Sequence, residues 1–148
     1  MNDTASPPAT VATCVIVHDK ATDQVVTIRN NAHYLQREES LPADKRFSEH
    51  PDSAAARCLR EQTGLNVDPA DLVLDRVLTM AAGWEGYGSQ ACVVLVFRAL
   101  RWSGELAQGY QPQQAVWSPL DRLPKLSPTF TAIIDAYRDE SPLYITRG

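Results

Sequence analysis

The 148-residue sequence has no apolar run approaching the ~18 residues that would cross a bilayer as a helix, so no membrane partner is expected. It has no excess of basic residues either. Fourteen Lys and Arg stand against 18 Asp and Glu, a formal net charge of −4. Phosphate-backbone affinity needs a cation surplus on one face, so a nucleic-acid partner is not expected. Cysteine is scarce. Cys14, Cys58 and Cys92 are odd in number and lack C-x-x-C spacing, which argues against a disulfide scaffold and a structural zinc site. Reduced thiols in the cytoplasm are the expectation. Residues 1–10 contain no basic stretch followed by an apolar one and read as a disordered leader rather than a signal peptide. Internal repeats and low-complexity runs are absent after the leader.

What is present is the balance of a folded chain: 44% hydrophobic and 22% charged residues. The length fits one domain, placed at residues 11–140 with a tail at 141–148. Val11 to Val17 and Gln24 to Ile28 are β-branched runs separated by polar residues, the pattern of a hairpin. Arg29 to Glu39 reads as loop, and Leu41-Pro42 as a brief extended piece. Pro51-Asp52-Ser53 opens a helix with Asp52 or Ser53 as its N-cap, and Gly64 stops it. Leu72 to Leu78 and Ala91 to Leu100 are strands, as is a short run ending at Val116-Trp117, where Trp117 belongs to the core. Pro128 to Arg138 is a second helix. Its Phe130, Ile133, Ile134 and Tyr137 fall at i, i+3, i+4 and i+7, one apolar face. Strands interleaved with two helices imply an α/β or α+β sandwich.

The segment Ala43 to Leu65 reads ADKRFSEHPDSAAARCLREQTGL. It resembles the Nudix box, the signature of the Nudix hydrolase superfamily: Gly, five residues, Glu, seven residues, then Arg-Glu-U-x-Glu-Glu-x-Gly-U with U aliphatic. Glu49, Arg57, Leu59, Glu61, Gly64 and Leu65 match at the right intervals. Ala43, Cys58 and Gln62 depart from it. Leu41-Pro42 before the box and Trp117 to Pro124 after it also look like the family, so the resemblance spans Val11 to Tyr137. It implies an α/β Nudix fold, an α/β/α sandwich with a mixed sheet between helical layers.

The resemblance also implies a chemistry. Residues at i, i+3 and i+4 share one helix face. In active members that face carries three carboxylates that hold Mg²⁺ or Mn²⁺, which bridges a diphosphate and activates water. The corresponding residues here are Cys58, Glu61 and Gln62. A thiol and a neutral amide are poor ligands for a hard cation. They also remove like-charge repulsion of roughly 0.2–0.5 kcal/mol per exposed i,i+4 pair, so the face needs no metal to be stable. Gln113 and Gln114 stand near where related proteins often carry glutamate.

Two functions from different classes follow. One is a Nudix-fold protein that binds a nucleotide or other diphosphate-containing small molecule with weak or absent hydrolysis. The other is a divergent Mg²⁺-dependent hydrolase cleaving the diphosphate of a nucleoside diphosphate linked to another moiety, since Mg²⁺ often takes only one or two protein carboxylates. The candidate catalytic residues are Glu61, Arg57 and Glu49, with Glu61 and Glu49 as metal ligands and Arg57 orienting a box glutamate. Trp84 and Tyr87 flank Glu85 in a glycine-rich segment. The two aromatics are candidates to stack on a base, Glu85 to add an oxygen ligand, and Arg29 to meet phosphate. Cys58 between Arg57 and Arg60 is read as a small inert thiol, because it lies mid-helix rather than at a helix N-terminus. With His50 and Glu61 it fits no usual zinc spacing. Homodimerisation, common in such proteins, stays open.

Overall fold

β-Branched residues with a period of two form two sheets, and two helices cover the first of them. The computed structural model describes residues 9–30, 39–45, 47–83, 90–107, 113–140 and 143–148. In chain order the elements are β1 (Thr10–Ile16), β2 (His18–Asp19), β3 (Gln24–Asn30), β4 (Glu39–Ser40), β5 (Ala43–Asp44), α1 (Pro51–Thr63), β6 (Leu72–Met80), β7 (Cys92–Ala99), β8 (Gln113–Pro119), α2 (Pro128–Arg138) and β9 (Tyr144–Arg147). The first sheet is ordered β5-β1-β7-β6-β9 and is mixed: β1 with β7 and β6 with β9 run parallel, the other pairs antiparallel. The second is antiparallel and centred on β3, with β8 along one edge and β2 and β4 sharing the other.

Alternation along β1 explains the layering. Ala12, Cys14 and Ile16 point to one face and join Ala132, Ile133, Ile134 and Ala136 of α2. Val15 and Val17 point to the other and join Ala55, Ala56 and Leu59 of α1. The expected sandwich is therefore present, a mixed sheet between two helices. Val26, Ile28 and Ala115 of the second sheet also pack into the α1 cluster, so α1 is gripped by both sheets. On α2, Ile133 and Ile134 are buried, while Phe130 and Tyr137 are partly buried against the same cluster. Trp117 is half-buried in the α1 cluster beside Trp102, with ring centroids 6.1 Å apart.

Local readings of the chain need correction where tertiary contacts intervene. β1 does not form a hairpin with β3. Both of its edges are occupied, by β5 and β7, and only His18–Asp19 turns back onto β3. The N-cap of α1 is His50, without a side-chain cap, rather than Asp52 or Ser53. Pro51 takes the first helical position, where its missing N–H costs nothing and its φ is already helical. Asp52 is thus inside the first turn, where its charge favours the positive end of the helix. The strands reach further than the apolar runs suggest. β3 extends through Arg29 to Asn30, Glu39–Ser40 is a strand, and Tyr144–Arg147, read as tail, runs parallel to β6 in the first sheet.

Gly64 ends α1 as expected, with φ +86° and its N–H donating to the Arg60 carbonyl at 2.9 Å. A Cβ there would lie 2.8 Å from Ala107 Cβ and 3.0 Å from the Ala107 backbone nitrogen. Gly64→Ala combines backbone strain with this clash and is expected to destabilise the fold by roughly 1–3 kcal/mol. Urea denaturation measures it, and an unchanged midpoint would overturn the assignment of Gly64 to the helix stop.

Candidate functional site

Arg57 projects from the middle of α1, and its guanidinium collects carboxylates from three segments. Nε donates to Glu49 Oε2 at 2.8 Å, Nη1 to Glu61 Oε1 at 2.9 Å, and Nη2 to Asp44 Oδ2 at 2.9 Å. Asp44 is delivered by β5, Glu49 by the loop before α1, and Glu61 by the next turn of the helix. The sequence reading offered Glu61 or Glu49 as partner of Arg57; both are, and Asp44 is the third. Asp44 was missed because the residue type one place after the departing Ala43 carries no signal by itself. Its contact with Arg57 depends on β5 pairing antiparallel with β1, where Asp44 lies opposite Thr13.

The electrostatics follow from these contacts. The hydrogen bonds from Arg57 hold the Glu49 carboxyl down to about 2, against an ordinary value of 4.5. The same bonds, Glu49's first, raise the pKa of Arg57. Each pair is partly solvated, so each alone contributes little to stability. Among the described residues, three carboxylates surround this one guanidinium.

Cys58 and Gln62, the two departures on this helix face, have distinct structural roles. Cys58 is buried, and burial together with the charge of Asp44 pushes its thiol up to about 12. It is therefore a protonated, inert side chain at neutral pH. Gln62 clasps β5: its Nε2 donates to the Ala43 carbonyl at 2.8 Å, and its Oε1 accepts from the Ala43 N–H at 3.3 Å. An amide can make both bonds. A carboxylate cannot donate to the carbonyl.

A cavity of about 520 Å³ lies beside this cluster, within the usual range of ligand sites. Its apolar lining comes from Ala12, Ile28, Leu41, Met80, Val94 and Phe130, from both sheets and the start of α2. Polar groups line it as well: Asp44, Lys45 and Gln62 from the box, with Gln90 and Gln113 from other segments. A more open hollow of about 400 Å³ is bounded by Phe47, Ser48, Glu49 and Arg57.

Of the residues singled out from sequence, Glu49, Arg57 and Glu61 are brought together. Arg29 is not part of this group. Its Nε donates to Oε1 of the buried Glu39 at 3.0 Å, and Glu39 Oε2 accepts from Thr27 Oγ1 at 2.6 Å. Trp84, Glu85 and Tyr87 lie outside the described residues. Among the described residues, no three of His, Cys, Asp and Glu converge in a metal-holding arrangement. The oxygen donors at hand are Asp44, Glu49 and Glu61, each engaged by Arg57.

The depressed Glu49 carboxyl makes stability pH-dependent. Because its folded pKa lies below the unfolded one, its contribution is complete above about 4.5 and is lost as pH falls through about 2. Arg57→Gln is expected to move the Glu49 midpoint from about 2 toward 4.5 and to flatten the stability profile across that window. Carboxyl-carbon NMR titration together with urea melts reads both. A Glu49 midpoint that stays put would show that Arg57 is not its partner in solution.

Comparison with known proteins agrees with this architecture. The profile of the NUDIX domain matches residues 8–137. No curated protein matches the sequence. Among solved structures, the mutator MutT protein of Bacillus halodurans superposes with a TM-score of 0.75 at 20% identity, covering 93% of this chain and 88% of that one. The MutT NUDIX hydrolase of Burkholderia pseudomallei gives 0.69 at 19% identity, covering 87% and 98%. The NUDIX domain of Shewanella oneidensis NrtR, solved with ADP ribose, gives 0.71 at 13% identity, covering 95% and 93%. With the family profile covering most of its length, the fold shared and the box on α1, the chain belongs to the NUDIX family.

Proposed function

We propose that this chain binds a nucleotide or another diphosphate-containing small molecule in the cavity beside α1, and that it hydrolyses that ligand weakly or not at all. The observation that carries the reading is the two-way bond between the Gln62 amide and the Ala43 backbone. It commits position 62 to holding β5 rather than to offering an anionic oxygen. Cys58 is buried and protonated at neutral pH, so position 58 offers none either. Glu61 and Glu49 remain as metal ligands, but both are already spent on Arg57. A Mg²⁺ ion would therefore have to compete with the Arg57 guanidinium for these carboxylates. The ligand class rests on the size and mixed lining of the cavity, and on the ADP ribose held by the similar Shewanella domain.

One observation favours a second reading, a divergent hydrolase. The three carboxylates gathered at Arg57 would offer oxygens to a cation that arrives with its substrate. Glu61 would then be the principal ligand and Glu49 an assistant, with Arg57 orienting them. Glu61→Gln would abolish turnover on this reading.

The experiment is a turnover assay on nucleoside diphosphate derivatives with Mg²⁺. Rates far below ~1 s⁻¹ are expected, and a Mg²⁺-dependent rate at or above that ordinary enzymatic level would overturn the binding reading. The double variant Cys58→Glu with Gln62→Glu restores the carboxylates. It is expected to melt below the wild type in EDTA, because it buries a charge and breaks the Ala43 clasp, and to regain stability and hydrolysis with Mn²⁺. The wild type is expected to melt at the same temperature with and without the ion.

A further inference from the structure

Beside the cavity, an anionic ligand meets a charge problem. The carboxylates of Asp44, Glu49 and Glu61 gather at the Arg57 guanidinium, and Asp44 itself lines the cavity. A diphosphate approaching that wall is repelled unless a cation offsets it. Two arginines are already engaged: Arg57 with three carboxylates, Arg29 with Glu39. Lys45 remains. It follows Asp44 directly at the end of β5 and is exposed. Among the described residues that line the cavity it is the one cation.

We propose that Lys45 is the anion-holding residue of the cavity, the side chain that lets a phosphorylated ligand bind without a divalent ion. This rests on the binding reading above and assigns the charge in it. The lysine stem is long enough to follow a phosphate over the cavity mouth, and its ammonium offers three donors. A separate observation fits its placement. Its charge acts on the Cys92 thiol of β7, partly offsetting the rise that burial causes there. Cys92 also lines the cavity, so both side chains belong to its wall.

The test compares ADP-ribose with adenosine by calorimetry in EDTA. A second readout is the rate at which N-ethylmaleimide labels Cys92, since Cys14 and Cys58 are buried. Wild-type protein is expected to bind ADP-ribose in EDTA and to be protected at Cys92. Lys45→Met is expected to weaken ADP-ribose at least tenfold and adenosine less than threefold, and Lys45→Arg to restore most of the loss. Lys45 is exposed, so these variants fold as the wild type does, which thermal melts verify. If Lys45→Met changes both ligands equally or neither, the assignment of Lys45 is overturned while the binding reading stands. Binding that requires Mg²⁺ overturns the metal-free role and supports the hydrolase reading. Failure of the wild type to bind either compound, with or without Mg²⁺, overturns both.

Discussion

One guanidinium organises this molecule's functional face. Arg57 stands on a helix held by both sheets, and it fixes a two-residue strand, a loop and a neighbouring helical turn through Asp44, Glu49 and Glu61. No single one of these partly exposed pairs contributes much. Their joint effect is geometric. A planar fork has fixed donor directions, so three carboxylates from three segments must sit where those directions point. β5 is too short to be held by its ladder with β1 alone. Arg57 grips it at Asp44 and Gln62 grips it at Ala43, one residue apart.

Seen against that constraint, the two departures from the box are packing solutions. A buried carboxylate at position 58 would need a partner, and the nearest cation already serves three. Cysteine fills the space as a small apolar side chain. At position 62 an amide supplies both a donor and an acceptor to an exposed backbone edge, which a carboxylate cannot do. These bonds join the face through protein groups. This is why the binding reading does not depend on an ion for the stability of the fold.

How much of this was legible in the sequence depends on the range of the contact. Pro51 and Gly64 bound α1 because missing N–H groups and positive φ are local properties, and both residues do what their chemistry says. The apolar face of α2 was readable because the helical period puts Phe130, Ile133, Ile134 and Tyr137 together without help from elsewhere. The supposed hairpin was not readable. Val11 to Val17 has the same pattern whether its neighbour is β3 or β7, and only the burial of both faces of β1 decides. β9 has too few apolar residues to announce itself; Ile145 alone is buried there. The resemblance to the box singled out Glu49, Arg57 and Glu61, and helical spacing puts Arg57 and Glu61 on one face. Asp44 and Lys45 needed the register of β5 on β1, which no short-range pattern encodes. Glu39 was hidden for a similar reason: its burial depends on Thr27 and Arg29 of another strand.

The arrangement also separates two electrostatic tasks that a metal would otherwise combine. A divalent ion in such a site would both neutralise the acidic helix face and attract the ligand's phosphates. Here the first task falls to Arg57, and its donors are consumed by it. The second requires a cation that remains available, which restricts it to side chains at the cavity mouth. Lys45 and Asp44 are consecutive in the chain but face different demands: Asp44 is drawn to Arg57, and Lys45 is left toward the opening. The apolar lining from Met80, Val94 and Phe130 suits a ring better than a phosphate. A ligand of the kind proposed therefore carries both an apolar group and concentrated negative charge.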